Sequence, residues 1–225
     1  ECVALAEQRR AERDEERDGI RVLVAGCEFA RDLAAAPAAL QGDTIFVRRD
    51  ALRRWLWEKV EFWQARRSEG ALQCALDAWE LRCGDPAALE RMVEAETETM
   101  ILHELWEARS ASILGAGWEE MLAALADRRA ELLARAVRDH LADCLSTLPA
   151  LLDRDARASI HFYFSQFDGM RRELFPSLAA AYGRWQSGAA GPLHNAIEAG
   201  AAHWERAARE LLASPLRADA GAFAL

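Results

Sequence analysis

The chain has 225 residues, and its 52% hydrophobic content, with eight tryptophans, can form the core of one large domain or two small ones. A net charge of −9 and a pI near 5.2 argue against a nucleic acid or an anionic membrane surface as the main partner. No apolar run has transmembrane length, and no signal peptide is expected. The five cysteines are an odd number without a C-x-x-C pair, which argues against a disulfide framework or a structural zinc site. We therefore expect a cytoplasmic protein.

Residues 1–49 differ in pattern from the rest and are predicted to form a small α/β element. Runs with strand character occupy residues 3–8, 20–26 and 44–49, and residues 28–36 have the pattern of a short helix. A charged segment joins the first two runs and ends at Asp18-Gly19, a pair typical of hairpin turns. This pattern favours an antiparallel β element with a solvated hairpin arm, although the charged segment also fits a helix.

Residues 50–225 are predicted to be a helical body that forms one compact unit. Apolar residues recur there at helical spacing, and Gly and Pro separate the segments. The predicted helices cover residues 50–67, 72–81, 86–114, 118–126, 130–148, 153–168, 171–185 and 193–212. Pro149 is expected to end the fifth of them, and Pro176 to restart the seventh. The predicted fold class is mainly α, a multi-helix bundle with a small N-terminal antiparallel β element.

The helix over residues 86–114 carries the candidate site. Asp85 can cap it, Pro86 suits its first position, and Gly115 supplies a stop. At about 100° per residue, an otherwise apolar sector of this helix contains three ionisable side chains. These are Glu96, His103 and Glu107. The periodicity therefore predicts that two acids and a histidine point towards the core.

Burial of these groups without partners would cost several kcal/mol each, so something must compensate. A divalent metal ion is one explanation, because mixed nitrogen and oxygen ligands suit Fe, Mn or Zn. An ion-pair network with arginines of neighbouring helices is a second. The third is that this edge of the helix is simply solvated.

Under the metal hypothesis, side chains from later helices complete the ligand shell, and one carboxylate serves as proton acceptor. The candidates are Asp139, Asp143, His161 and Asp168. The alternative is a non-catalytic interaction or scaffold module, with its buried charges paired to Arg135 and Arg172. The sequence names no reaction. The eight tryptophans leave room for either an aromatic pocket for a small molecule or a homodimer surface.

A histidine and two acids also share a face of the last predicted helix. His194, Glu198 and Glu205 repeat the spacings of four and seven in the reverse order. In an antiparallel pair of helices the two sets could converge, as in carboxylate-bridged two-metal bundles. The alanine-rich context favours coincidence.

Several stretches share a pattern with known sequences. They are ETETMILHELWE in the central helix, ELLARAVRDHLAD from Glu131, FDGMRRELFP from Phe167, FARDLAAAPA from Phe29, and TIFVRR from Thr44. Together they resemble a mostly helical bacterial family without an assigned activity, whose central helix reads roughly ETxxxxHELGE. The resemblance implies a shared fold and no mechanism. The matching polar positions are Glu96, Glu98, His103, Glu104, Glu107, Arg135, Asp139, Asp143, Asp168, Arg172 and Glu173. The chain departs from the pattern at Trp106, where the family has glycine, and at His140, where it has an apolar residue.

Overall fold

The computed structural model describes residues 11–26, 36–66, 69–81, 85–115, 117–125 and 127–213. The predicted strand over residues 3–8 and nearly all of the predicted helix over residues 28–36 lie outside these ranges. The chain forms two compact units. The first comprises Glu1–Ala108 with Arg157–His161, and the second comprises Arg109–Ala156 with Phe162–Leu225. The boundary expected at residue 49 separates strands from helices and stays a prediction.

The first unit contains a four-stranded sheet. Its strands are β1 (Ala11–Arg17), β2 (Ile20–Ala25), β3 (Ala38–Gln41) and β4 (Thr44–Arg48), in the order β1-β2-β4-β3. The strands β1 and β2 form the predicted hairpin, and its turn at Asp18-Gly19 has positive φ at both residues. The pair β3 and β4 is also antiparallel, whereas β2 and β4 are parallel. The small N-terminal sheet is thus confirmed, but it is mixed.

The amino-acid composition of β2 and β4 explains why these two strands lie in the middle of the sheet. Both central strands are nearly continuous apolar runs, and such runs suit strands that are covered on both faces. Val22 and Ile45 lie in the main core cluster of this sheet, while Leu23 and Phe46 pack together separately. The main cluster also contains Ile101 and Leu105 of the central helix, so one face of the sheet packs on that helix.

Helices account for most of the remaining described residues. They are α1 (Arg49–Arg66), α2 (Ala71–Ala78), α3 (Pro86–Leu114), α4 (Gly117–Ala124), α5 (Arg128–Ala142), α6 (Leu148–Asp153), α7 (Arg157–Ser165), α8 (Gly169–Leu174), α9 (Pro176–Gln186) and α10 (Gly191–Ala213). The mainly α fold class is therefore confirmed. Asp85 caps α3 as predicted, because its Oδ1 accepts hydrogen bonds from the backbone N–H groups of Ala87 and Ala88. No helix among the described residues is long and apolar enough to cross a membrane.

Pro149 does not end a helix, contrary to the prediction. A π-helical turn, Asp143–Thr147, follows α5 directly, and α6 begins at Leu148 with Pro149 in its first turn. Proline has no N–H to donate to the carbonyl four residues earlier, and a wider turn accommodates this loss. The chain therefore continues as helix through the proline.

The core of the second unit lies around α10. This helix packs against α5 and α9. Trp204 of α10 and Phe175, which precedes α9, are fully buried there. Gly200 permits the close approach of α10 to Phe175 and Cys144. A Cβ at this position would lie 2.6 Å from Phe175 Cζ and 2.8 Å from Cys144 Sγ.

Candidate functional site

Glu96 is the buried acid of α3. Its exposed fraction is 4%, and its side chain forms hydrogen bonds with Ser159 of α7 and with Thr99. Its Oε1 atom has no hydrogen-bond partner among the described residues. Burial raises the pKa of Glu96 to about 8, although the two hydrogen bonds lower it in part. Glu96 is therefore a neutral carboxylic acid at pH 7.

His103 and Glu107 form a pair further along the same face of α3. His103 Nε2 lies 3.9 Å from Glu107 Oε1, and the two side chains are 34% and 25% exposed. Metal bonds to nitrogen and oxygen are about 2.1 Å long, so two ligand atoms of one ion lie up to about 4.2 Å apart. The pair can chelate one ion. Glu96 precedes His103 by seven residues, which is about 10 Å along the helix axis.

Two other acids of α3, Glu90 and Glu98, are paired with arginines. Glu90 accepts hydrogen bonds of 2.7 and 3.0 Å from Arg53 of α1, and Glu98 accepts bonds of 2.8 and 3.2 Å from Arg17 of β1. Arg13 also contacts Glu98. Burial alone would raise the pKa of Glu98, but hydrogen bonds from Arg17 and Arg13 outweigh this effect and lower it. The charged segment expected to be a solvated arm is therefore an edge strand that covers the acids of α3 with its arginines.

Asp143 lies in the second unit, where it is buried with two partners. Its Oδ2 atom accepts a hydrogen bond of 2.8 Å from the Tyr163 hydroxyl and a second one from Arg171 Nη2. Arg171 Nη2 also lies 3.0 Å from the Tyr163 oxygen, and the guanidinium lies over the Tyr163 and Phe167 rings. Burial would lower the pKa of Arg171, but the acidic groups of Tyr163, Asp143 and Asp139 raise it above its ordinary value. Asp143 is thus the common acceptor of the Tyr163 hydroxyl and the Arg171 guanidinium.

His140 lies one turn before Asp143, in an aromatic environment. It stacks on Trp204 with ring centroids 4.7 Å apart and meets Phe175 edge-on. Its Nε2 is 3.0 Å from the Arg171 carbonyl oxygen, which can only accept, so Nε2 carries the proton. Its Nδ1 has no partner among the described residues. Burial, and secondarily the charge of Arg171, lowers the pKa of His140 to about 4. His140 is therefore neutral at pH 7.

The remaining residues predicted for the site differ in burial. Asp139 is half-buried on α5, His161 is buried on α7, and Asp168 is exposed at the start of α8. Burial and then the charge of Arg157 lower the pKa of His161. In the first unit the structure brings His103 and Glu107 together on α3. In the second unit, Asp143 forms an ion pair with Arg171 and a hydrogen bond with Tyr163.

The two arginines proposed for a buried ion-pair network, Arg135 and Arg172, are both exposed. Arg135 is exposed and pairs with Glu131 at 2.8 Å. Arg172 is also exposed, whereas its neighbour Arg171 reaches Asp143. The helix α8 has only six residues, too few for periodicity to indicate which of two adjacent arginines faces the core.

Sequence reasoning also missed three residues of these clusters: Tyr163, Ser159 and Trp204. Tyr163 had a detectable signal, since it is one of two tyrosines and lies between two phenylalanines on a helix. Its hydroxyl would need a partner there. No sequence signal distinguishes Ser159 and Trp204 from other core residues.

Comparison with known proteins gives one relationship. No match to the chain was found among curated proteins or among solved structures. Two family models do match, the N-terminal domain over residues 4–48 and the C-terminal domain over residues 53–223 of a family of unknown function, DUF6866. This confirms the resemblance to a family without an assigned activity. Because the two models cover nearly the whole described chain, the protein belongs to the DUF6866 family of unknown function.

Proposed function

We propose that the protein binds a divalent transition metal ion, Fe, Mn or Zn, through His103 and Glu107. The observation that carries this proposal is the 3.9 Å separation of His103 Nε2 and Glu107 Oε1 on one helix face. An i, i+4 spacing lets two side chains of a helix meet at one point. Imidazole nitrogen with carboxylate oxygen is a donor set that suits these three metals.

The partial exposure of the pair bears on what such an ion would do. Both side chains are accessible to solvent, so water or a substrate group can occupy the remaining coordination positions. A bound ion with open positions acts as a Lewis acid and lowers the pKa of a bound water. We therefore infer an open site, in which His103 and Glu107 act as ligands.

Other acids are left out of this ligand set for physical reasons. Glu96 is protonated at pH 7 and lies about two turns away from His103, so it can hold a proton but is a poor ligand for the same ion. The Oδ2 atom of Asp143 already accepts hydrogen bonds from Tyr163 and Arg171. Its transfer to a metal would leave the half-buried Arg171 charge without this acceptor.

Metal titration of protein purified without a polyhistidine tag tests the proposal. Metal-free protein is titrated with Mn²⁺, Fe²⁺ and Zn²⁺ in a calorimeter, and the bound metal is then measured by elemental analysis. We expect about one equivalent of at least one metal. In the variants H103A and E107Q the affinity should fall at least about tenfold, the cost of one lost ligand contact. Uptake below about 0.1 equivalent, or wild-type affinity in H103A, would contradict the proposal.

The chain supplies a matched control for this titration. His194 and Glu198 have the same i, i+4 spacing on α10, and both are exposed. If any exposed histidine and glutamate four residues apart collected metal, H194A would lower the affinity as much as H103A. We expect no change in H194A.

A second candidate function is a non-catalytic interaction or scaffold module. It is supported by the ion pairs of α3, since arginines of β1 and α1 engage Glu98 and Glu90 in two-pronged contacts. Such contacts fix the orientation of helices and strands. On this alternative, H103A changes the thermal stability of the protein while no metal binds to the wild type.

A further inference from the structure

An open surface cavity of about 480 Å³ lies along the helical hairpin of α9 and α10. Its turn, residues 187–190, contains Gly188 with a positive φ of 96°. Residues from both helices line the cavity: Ser177, Arg184, Pro192, Asn195, Ala196 and Ala199. All of them belong to the second unit.

The spacing of these residues explains why a cavity forms. The lining residues of α9 are seven apart, and those of α10 follow at steps of three, one and three, so each helix contributes one continuous face. Leu193 and Ile197 of α10 are buried on a different face. Ala196 and Ala199 have short side chains that cannot fill the space between the helices. The cavity therefore lies along the outer side of the hairpin.

Two polar side chains of the cavity, Arg184 and Asn195, offer N–H donors. Neither the Arg184 guanidinium nor the Asn195 amide has a hydrogen bond or ion pair to any residue that the structure describes. None of the described residues that line the cavity is acidic, although the chain has 37 acidic residues and a net charge of −9. A guanidinium together with an amide is well suited to binding a carboxylate or phosphate group.

The apolar part of the lining indicates the rest of the ligand. Pro192, Ala196 and Ala199 offer a surface without charge next to the two donors. Ser177 and Arg184 are seven residues apart, which corresponds to about 10 Å along α9. A volume of this size is typical of small-molecule sites, which combine an apolar wall with a few polar groups.

We propose that this cavity binds a small organic anion. Its single carboxylate or phosphate group is held by Arg184 and Asn195, and its apolar body, up to about 10 Å long, lies along Ala196 and Ala199. This binding site is independent of the metal site proposed at His103 and Glu107.

Titration with defined amphiphilic anions tests this site. The probes are octanoate and octyl phosphate, with inorganic phosphate as the head group alone, and binding is followed by calorimetry or by NMR shifts. Wild-type protein should show saturable binding of at least one octyl probe and weaker binding of inorganic phosphate. In R184A the affinity of that probe should fall at least about tenfold, because a charge-assisted contact is lost.

Two further variants separate the cavity from general charge effects. R206A removes an exposed arginine elsewhere on α10 and should bind the probe like the wild type. A199L keeps all charges but fills the apolar part of the cavity, so it should bind octyl probes less tightly while its circular dichroism stays unchanged. The proposal is overturned if no probe saturates the wild type, if R184A and R206A behave alike, or if A199L binds octyl probes as the wild type does.

Discussion

The Tyr163 hydroxyl donates a hydrogen bond of 2.8 Å to Asp143 Oδ2, the same oxygen atom that accepts from Arg171. Asp143 is 3% exposed, so this carboxylate needs protein partners in place of the water that would otherwise stabilise its charge, and Tyr163 and Arg171 are two of them. The tyrosine therefore adds a neutral donor to the buried end of the ion pair between Asp143 and Arg171.

The first prediction concerns the loss of this carboxylate. D143A leaves the Arg171 guanidinium, which is 28% exposed, without this acceptor, and the loss of a hydrogen bond to a charged group typically costs about 1.5–3 kcal/mol. Y163F removes only one neutral donor and should cost about 1 kcal/mol. The free energy of unfolding, measured by urea denaturation, checks both values.

The adjacent exposed arginine supplies the control for this measurement. R172A should change the free energy of unfolding by less than about 0.5 kcal/mol, because an exposed side chain contributes little. A D143A protein as stable as R172A would mean that the cluster does not contribute to folding.

The second prediction concerns acid sensitivity at His140. Its pKa in the folded protein is about 4, below the ordinary value of 6.5, so unfolded chains bind the proton more readily. The contribution of His140 to the free energy of unfolding is therefore full above pH 6.5. It decreases by about 3 kcal/mol as the pH falls to 4. In H140L, which has an apolar residue at this position, that pH-dependent loss should be absent.

Chemical denaturation at several pH values between 4 and 7 measures this difference. The wild-type and H140L free energies of unfolding should approach each other, or cross, as the pH falls. H194Q, which replaces an exposed histidine, should keep the wild-type pH profile. Parallel profiles for wild type and H140L would show that His140 does not titrate as its burial requires.

Local patterns in the sequence accounted for much of the fold. The cap at Asp85, the restart at Pro176 and the turn at Asp18-Gly19 all depend on the chemistry of a few adjacent residues, and each was predicted. The passage of the helix through Pro149 depends on a π-turn, which has no comparable local signature. The parallel pairing of β2 with β4 likewise depends on contacts between distant segments.

The candidate site could be predicted only in part for a similar reason. Helical periodicity correctly placed Glu96 on the buried face of α3, because it reports the direction of a side chain around the axis. It does not report how deeply each turn is covered, and His103 and Glu107 are only half-buried. It also does not identify partners from other elements, so Arg171 and Ser159 became apparent only in the structure.

The third prediction concerns the neutral acid Glu96. Its pKa of about 8 in the folded protein exceeds the ordinary value of 4.5, so folded protein holds a proton that unfolded chains release. The contribution of Glu96 to the free energy of unfolding is therefore full below pH 4.5. It decreases as the pH rises and is about 3 kcal/mol smaller at pH 7. E96Q keeps a neutral hydrogen-bonding group and should not show this fall.

The free energy of unfolding of E96Q relative to wild type should therefore increase steadily from pH 4.5 to 8. E58Q, at an exposed glutamate of α1, serves as the matched control and should follow the wild type at every pH. A constant difference between E96Q and wild type across this range would indicate that Glu96 is ionised in the folded protein.

The fourth prediction concerns the contact between α10 and the π-helical turn at Gly200. In G200A the new methyl group would lie 2.6 Å from Phe175 Cζ and 2.8 Å from Cys144 Sγ, so these side chains or the helices that carry them must shift. We expect G200A to be destabilised by about 1–3 kcal/mol, the usual cost of overpacking a core. G183A is the control, because a Cβ at Gly183 of α9 meets no atom within 4 Å and alanine should stabilise the helix by about 0.5–1 kcal/mol. Thermal or urea denaturation of both variants measures these opposite effects. Adding C144A to G200A should restore only part of the loss, since the contact with Phe175 remains, and full recovery would place the strain at Cys144 alone.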